Sequence, residues 1–190
     1  MILLLFSGGL DSMVLAERVV ASDQELVTVF FRYPHPAVPE EYRAVAEWHR
    51  QKRIAGKEIR HIEITLPLWG SDSMAIGTGE PGARVLPARN HVMVSTAINI
   101  AASIGAHAVL YGANLDDAED YPDCRPNWVE LLNRLGREWG VSVKAPLLYK
   151  TKSQIKEEAI ALGVSGWWPC SEPKDGQPCG TCNSCRANEK

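Results

Sequence analysis

The chain has 190 residues, ample for one domain with a real core and short for two. Hydrophobic residues make up 45% and charged residues 23%, an ordinary globular composition, and 20 Lys and Arg against 23 Asp and Glu leave a net charge of −3. That balance argues against a protein whose main task is gripping nucleic-acid phosphate. No apolar run approaches the roughly 20 residues of a membrane span. The short run at residues 2–6 lacks a basic leader and meets Ser7-Gly8-Gly9 at once, so the expectation is a cytoplasmic chain.

Residues 2–6 read as a buried strand, and residues 11–21 as a helix with Val14, Leu15 and Val19 inward. Residues 26–31, rich in β-branched and aromatic side chains, read as a second strand. Pro34, Pro36 and Pro39 punctuate a loop before a polar helix at 40–54, and residues 60–64 alternate as a third strand. Residues 65–87 carry three prolines and four glycines and read as a long loop of the kind that is usually functional. An apolar helix at 90–104, a strand at 108–112 and an acidic loop at 114–126 follow. In the helix at 126–139, Trp128, Leu131, Leu132, Leu135 and Trp139 recur at helical spacing and read as core. A fifth strand lies at 141–145. Thr151 and Gln154 then stand at capping-box spacing and open a helix with Ile155, Ala159 and Leu162 inward. Periodicity ends after Gly163.

Five strands interleaved with helices predict an α/β fold, a doubly wound, mostly parallel five-stranded sheet of the Rossmann-like type. Residues 1–163 form its body and residues 164–190 a four-cysteine tail of the same domain. Ligands of such sheets sit beyond the carboxyl ends of the strands. The exits of the first and fourth strands, residues 7–12 and 114–125, are the most unusual loops in the chain.

Ser7-Gly8-Gly9-Leu10-Asp11-Ser12 follows the first strand and opens the first helix. Two glycines let the backbone turn tightly, the helix N-terminus offers free N–H groups to an anion, and Ser7 and Ser12 add hydroxyls. Asp11 repels phosphate, so its place is either to cap the helix or to help hold a magnesium ion. Neither the Gly-Lys-Ser/Thr ending of a P-loop nor a third spaced glycine is present.

Of five cysteines, Cys124 stands alone, while Cys170, Cys179, Cys182 and Cys185 cluster with two consecutive CxxC steps. Four thiolates close a tetrahedral zinc site with no open position, which makes the metal structural. An iron–sulfur cluster fits four cysteines too, and the ligand set alone leaves the two open.

Three further groups carry chemistry. Arg89, in Pro87-Ala88-Arg89-Asn90, can pair bidentately with carboxylate or phosphate. Asn114-Leu115-Asp116-Asp117 follows the fourth strand, and two prolines fix the backbone around Asp123-Cys124-Arg125. Lys152 opposes the dipole at its helix start, so its purpose is other than helix stability, and phosphate is a candidate partner.

The loop at residues 7–12 resembles the SGGxDS signature of the PP-loop ATP pyrophosphatases, of adenine nucleotide alpha hydrolase-like fold. Taken in order, the SGGLDS loop, PARN, YPDCRP, the Thr151-Lys152 pair and the C-x8-CGTC-x2-C tail resemble the 7-cyano-7-deazaguanine synthase family over nearly the whole chain. The resemblance implies an enzyme that converts 7-carboxy-7-deazaguanine, ammonia and ATP to the nitrile, releasing AMP and pyrophosphate. Carboxylate and then amide are adenylated, and the product serves queuosine- and archaeosine-type biosynthesis. It implies ATP binding by Phe6, Ser7, Gly8, Gly9, Leu10, Asp11 and Ser12, with Asp11, Arg89 and Lys152 catalytic. Arg89, Asn90, Asn114, Asp116, Asp123 and Arg125 would bind substrate. Mg2+ would accompany ATP and one structural Zn2+ would sit on Cys170, Cys179, Cys182 and Cys185. The implied chain binds no membrane, touches no nucleic acid directly and is compatible with a homodimer.

Two departures bear on the substrate. Where the family carries Gln-Arg-His after the second strand, this chain has Arg32-Tyr33-Pro34-His35-Pro36, and the loop before Pro87 is short. His35 is the one histidine singled out for function. The rival enzyme readings keep adenylation but change the acceptor: deazaguanine conjugation to another amine, or a tRNA sulfurtransferase using Cys124. A zinc-ribbon nucleic-acid module ranks last, since basic residues such as Arg186 and Lys190 are few around the tail cysteines and the chain is acidic.

Overall fold

A computed structural model describes residues 1–68 and 87–189, so most of the expected 65–87 loop lies outside the described residues. Five parallel strands, β1 (Ile2–Leu5), β2 (Leu26–Arg32), β3 (Arg60–Thr65), β4 (Ala108–Leu110) and β5 (Ser142–Lys144), form one sheet in the order β3-β2-β1-β4-β5. Leu3 of β1 stands between Val27 of β2 and Val109 of β4, and all three are fully buried. The central strands therefore read as continuous apolar runs, as expected of a sheet covered on both faces.

Alternation along β1 divides the core. Ile2, Leu4 and Phe6 face a layer built from α1 (Leu10–Ala21), α2 (Val38–Ile54) and α6 (Lys152–Ala161). Leu3 faces the opposite layer, where α3 (Arg89–Ile104) supplies Met93, Val94, Ala97 and Ala101 and α5 (Pro126–Arg137) supplies Leu132. Glu158 of α6 receives Arg18 of α1 and, at 2.6 Å, Lys150, which ties the two helices across the first layer. The Thr151–Gln154 capping box forms at the start of α6 as its spacing predicts. No helix among the described residues is long and apolar enough to cross a membrane.

Two expectations need correction. The Trp128–Trp139 stripe is not core: Leu131, Leu135 and Trp139 are 46%, 42% and 68% exposed, and only Leu132 is sealed. The reason lies one residue along the helix. Gly136 packs so closely on the next segment that a Cβ there would stand 2.5 Å from the Val141 carbonyl, and Asn133 Oδ1 accepts the Val143 amide at 3.0 Å. The inward face is thus Val129, Leu132, Asn133 and Gly136, at spacings of three and four, and the larger apolar residues fall on the neighbouring stripe. The acidic loop at 114–126 is also not plain loop, since it holds α4 (Asp117–Asp120) and a 3-10 turn at Pro122–Cys124. Asn114 starts α4 by accepting the Asp117 amide at 3.0 Å.

The pairing of β1 with β4 stops at Leu4 and Leu110. Beyond it the chain departs in opposite directions, into α1 from one strand and toward α4 from the other. This is the switch point of a doubly wound sheet, where a crevice must open.

Candidate active site

The crevice is a cavity of about 440 Å³, within the range of small-molecule sites. Its floor is the loop between β1 and α1. Gly8 has φ +77°, and a Cβ on it would stand 2.6 Å from the Glu41 carbonyl, so only glycine lets the loop lie against the first turn of α2. Gly9 caps α1 through an extended backbone without a side-chain bond, which leaves the first amides of the helix facing the cavity. Ser12 donates its hydroxyl to the Gly9 carbonyl at 2.9 Å and so braces the turn, while Ser7 is exposed at the rim.

Asp11 does not cap the helix. It accepts Lys152 Nζ from the first turn of α6 at 2.7 Å, with both side chains less than one-fifth exposed. Burial works against the Lys152 charge, yet Asp11 and Asp117 outweigh it and hold its pKa above the ordinary lysine value. The Lys152 amide in turn donates to Asp116 Oδ2 at 2.7 Å. Asp11 Oδ1 is buried with no hydrogen-bond partner among the described residues. Asp117 stands in the same group, its pKa raised by burial despite Lys152. An orphaned carboxylate oxygen with a second carboxyl beside it suits a hard divalent cation such as Mg2+.

Arg89 enters from the start of α3, where Ala88 has φ +56°, and donates to the Tyr33 hydroxyl at 3.3 Å. Burial disfavours its charge, but Tyr33, Glu41 and Asp123 hold the guanidinium above its usual pKa. Asn90 and Asp116 also line the cavity. Asn114, Asp123 and Arg125 do not line it. Asn114 is sealed and donates to Asp117 at 2.7 Å, Asp123 accepts the Asn90 amide at 2.9 Å, and Arg125 donates to the Ala118 carbonyl at 2.9 Å. Each holds in place a segment that does reach the cavity.

Cys124 is buried at the cavity wall, where Asn90 Nδ2 donates to its Sγ at 3.5 Å. Burial and the carboxylates Asp117 and Asp123 push its thiol up to about 12. Tyr111 beside it is 3% exposed, and its buried hydroxyl has no hydrogen-bond partner among the described residues. His35 lines the cavity with its ring 5.4 Å from that of Tyr33. Glu41, Tyr111 and Trp168 are cavity residues that sequence reasoning passed over, while Tyr33 and Asp117 lie in stretches it singled out without giving either residue a role. Only the doubled Glu40-Glu41 at a helix start offered a signal.

The tail forms the remaining wall. The Trp168 amide donates to the Gly8 carbonyl at 2.8 Å, and Cys170, Glu172 and Asn188 line the cavity. The sulfurs of Cys170, Cys179, Cys182 and Cys185 all lie within 4.8 Å of one another, an arrangement able to hold a metal ion. Gly180, with φ +70°, makes the turn between ligands. The backbone and hydroxyl of Thr181 donate to Cys179 and draw its thiol down to about 6, so the sulfur is ready to bind as thiolate.

The parallel sheet, its switch-point crevice and the SGGLDS loop define the chain as a PP-loop enzyme. Solved neighbours share this fold. A U34-tRNA thiolase from Methanococcus maripaludis matches at TM-score 0.59 and 14% identity, covering 99% of this chain and 64% of the thiolase. An NMN synthetase from Francisella tularensis matches at TM-score 0.57 and 15% identity, covering 99% and 75%. Relatives in sequence are named 7-cyano-7-deazaguanine synthase: one from Hahella chejuensis is 36% identical across 95% of this chain and 83% of its own length. One from Microcystis aeruginosa is 32% identical across 99% and 89%. The chain belongs to the queuosine biosynthesis protein QueC family, whose model matches residues 1–190.

Proposed function

We propose that the chain is an ATP-dependent ligase that turns 7-carboxy-7-deazaguanine and ammonia into 7-cyano-7-deazaguanine, releasing AMP and pyrophosphate. The observation that carries this reading is the convergence of the α1 N-terminus, the Asp11–Lys152 pair and Arg89 on one cavity. Amides at the helix start suit the departing pyrophosphate, and Lys152 meets the charge that grows on phosphate oxygens. Arg89 lines the same cavity and suits the substrate carboxylate. Asp11 Oδ1 and Asp117 would hold Mg2+, which screens the charge of the triphosphate when bound.

Losing two oxygens from a carboxylate needs two adenylations, because neither oxygen leaves unaided. The same cavity serves both, through an amide. Cys124 supports this reading over sulfur transfer, since a thiol held near 12 offers no thiolate. For the tail, a zinc ion bonded at about 2.3 Å to four sulfurs would hold them about 3.8 Å apart. Cys170 Sγ lies 3.7 Å from Cys179 Sγ and 3.9 Å from Cys182 Sγ. A cubane cluster ties each sulfur to a different iron and needs them spread far wider, so the spacing favours a single zinc.

The test is incubation with 7-carboxy-7-deazaguanine, ATP, magnesium and ammonium, reading product mass and nucleotide together. The nitrile with AMP is expected. ADP as product, or accumulation of the amide alone, would overturn the assignment.

A further inference from the structure

Resting on the ligase reading, one role is still without a residue. Ammonia carries three hydrogens to the adenylated carbon and the amide keeps two, so a proton must leave at that point. Arg89 and Lys152 are held charged, Asp11 is engaged by Lys152, and Cys124 is a buried thiol. None of these accepts a proton readily.

Glu41 lines the same cavity from the first turn of α2. Its backbone is the one against which Gly8 packs, so the carboxyl is anchored directly beside the phosphate loop. The groups facing it are Arg89 from α3, Tyr33 from the segment after β2, and Glu40 from its own turn. Among the described residues no side chain hydrogen-bonds to its carboxyl. Neighbouring Glu40 is different: it accepts Arg43 at 3.0 Å. A substrate carboxylate drawn to Arg89 therefore arrives beside Glu41.

We propose that Glu41 is the general base of the ammonia step, taking a proton from the attacking nitrogen at the carbon that Arg89 positions. Adenylation joins a substrate oxygen to the α-phosphorus of ATP and expels pyrophosphate. The nitrogen lone pair then bonds to the carbonyl carbon, the C–O bond to AMP breaks with its electron pair leaving on AMP, and the surplus N–H proton passes to Glu41. Glu41 gives that proton up to water before the second round, in which the amide oxygen bonds to the α-phosphorus of a second ATP, pyrophosphate is expelled and one N–H proton is lost to water. The last N–H proton goes to Glu41 as its electron pair becomes the third C–N bond and AMP departs again.

The charge of the substrate times the base. Two carboxylates sharing one guanidinium repel each other, so Glu41 is favoured as the neutral acid while the unreacted substrate sits at Arg89. Adenylation erases the substrate charge, and Glu41 then ionises beside Arg89 just when a base is needed. Burial has already raised it to about 7, the range in which a carboxyl serves as base at neutral pH.

Glu41→Gln keeps size and removes the base. Three readouts on the metal-loaded chain separate the steps: substrate-dependent exchange of labelled pyrophosphate into ATP without ammonium, turnover with ammonium, and hydroxamate formation with hydroxylamine. Hydroxylamine is weakly basic and a strong nucleophile, so it needs little help. We expect ammonium turnover to fall about 100-fold or more, exchange and hydroxamate to stay within about threefold, and the pH limb near neutrality to disappear. Glu41→Asp should recover about tenfold over the glutamine variant. Ammonium turnover within about threefold of the unaltered chain overturns the assignment, as does an equal loss of exchange in both variants. No exchange in the unaltered chain would instead overturn the ligase reading, and this inference with it.

Discussion

Lys152 Nζ donates to Asp11 Oδ2 at 2.7 Å, joining the first turn of α6 to the first turn of α1 from residues 141 positions apart. Each half is unfavourable alone. A lysine opposes the dipole at the start of α6, and an aspartate beside a phosphate loop repels its ligand. Together they make a neutral pair on the cavity lining, with the second carboxylate oxygen of Asp11 buried and unpartnered among the described residues.

Breaking this pair leaves one charge uncompensated in a partly closed site. Asp11→Ala and Lys152→Ala should each cost about 3 kcal/mol of stability and lower turnover by about 100-fold or more. The double variant should lose less stability than the sum of the two. Denaturant titration over the four proteins measures this, and strict additivity would show that the pair does not act as a unit.

Metal removal should affect activity as well as stability. The cysteine tail walls the cavity through Trp168 and Cys170, so a chelator or Cys182→Ser should lower Tm and raise KM for ATP together. Elemental analysis should find one zinc per chain. Several irons per chain together with acid-labile sulfide would contradict the sulfur spacing.

Cys124 should be chemically quiet. With its thiol at about 12 and 5% exposure, it should resist iodoacetamide at pH 8 in the folded chain while reacting after unfolding. Cys124→Ala should keep activity within about fivefold, as befits packing rather than covalent chemistry. Rapid labelling of the native protein, read by peptide mass, would reopen the thiolate readings.

Acid should unfold the chain through a histidine pair that does not itself line the cavity. The Thr28 hydroxyl is sealed between His49 Nε2 at 2.9 Å and His61 Nδ1 at 2.8 Å. Burial, with His61 and Arg53 adding to it, lowers His49 from 6.5 to about 4, and burial lowers His61 as well. Between pH 6.5 and 4 the unfolded chain binds the protons that the folded chain refuses, so stability rises with pH across that window. Above 6.5 the contribution is fully present. His49 should account for up to about 3 kcal/mol, and His49→Phe should flatten the pH dependence of unfolding free energy there.

Much of the body was legible because its signals are local. Apolar runs near residues 2, 26 and 108 marked central strands, Ser7–Ser12 marked the loop by its glycines, and four clustered thiols marked the metal site. What stayed hidden depends on approach between distant segments. Spacing showed that α5 has an apolar stripe, yet the contact of Gly136 with Val141 decides which stripe faces inward. Asp123 and Arg125 read as binding residues from their proline-framed setting, whereas the fold turns them to the Asn90 amide and the Ala118 carbonyl. Glu41 was invisible because nothing in a polar helix start tells which of two glutamates meets an arginine from α3. In the tail, Asp175 and Gly176, both with positive φ between the paired Lys174 and Gln177, were a readable hairpin turn that went unread.

The bond from the Trp168 amide to the Gly8 carbonyl also has a meaning for synthesis. The ribosome releases the loop early and the tail late, and a domain folds as a unit. Until the tail has docked, one side of the crevice therefore stands open to water. Any acyl adenylate made at that stage would be lost to hydrolysis, which closure of a site prevents. Because the last wall hangs on four thiols arranged to hold a metal, completing the crevice is coupled to metal capture, and a chain without the metal would keep that side open.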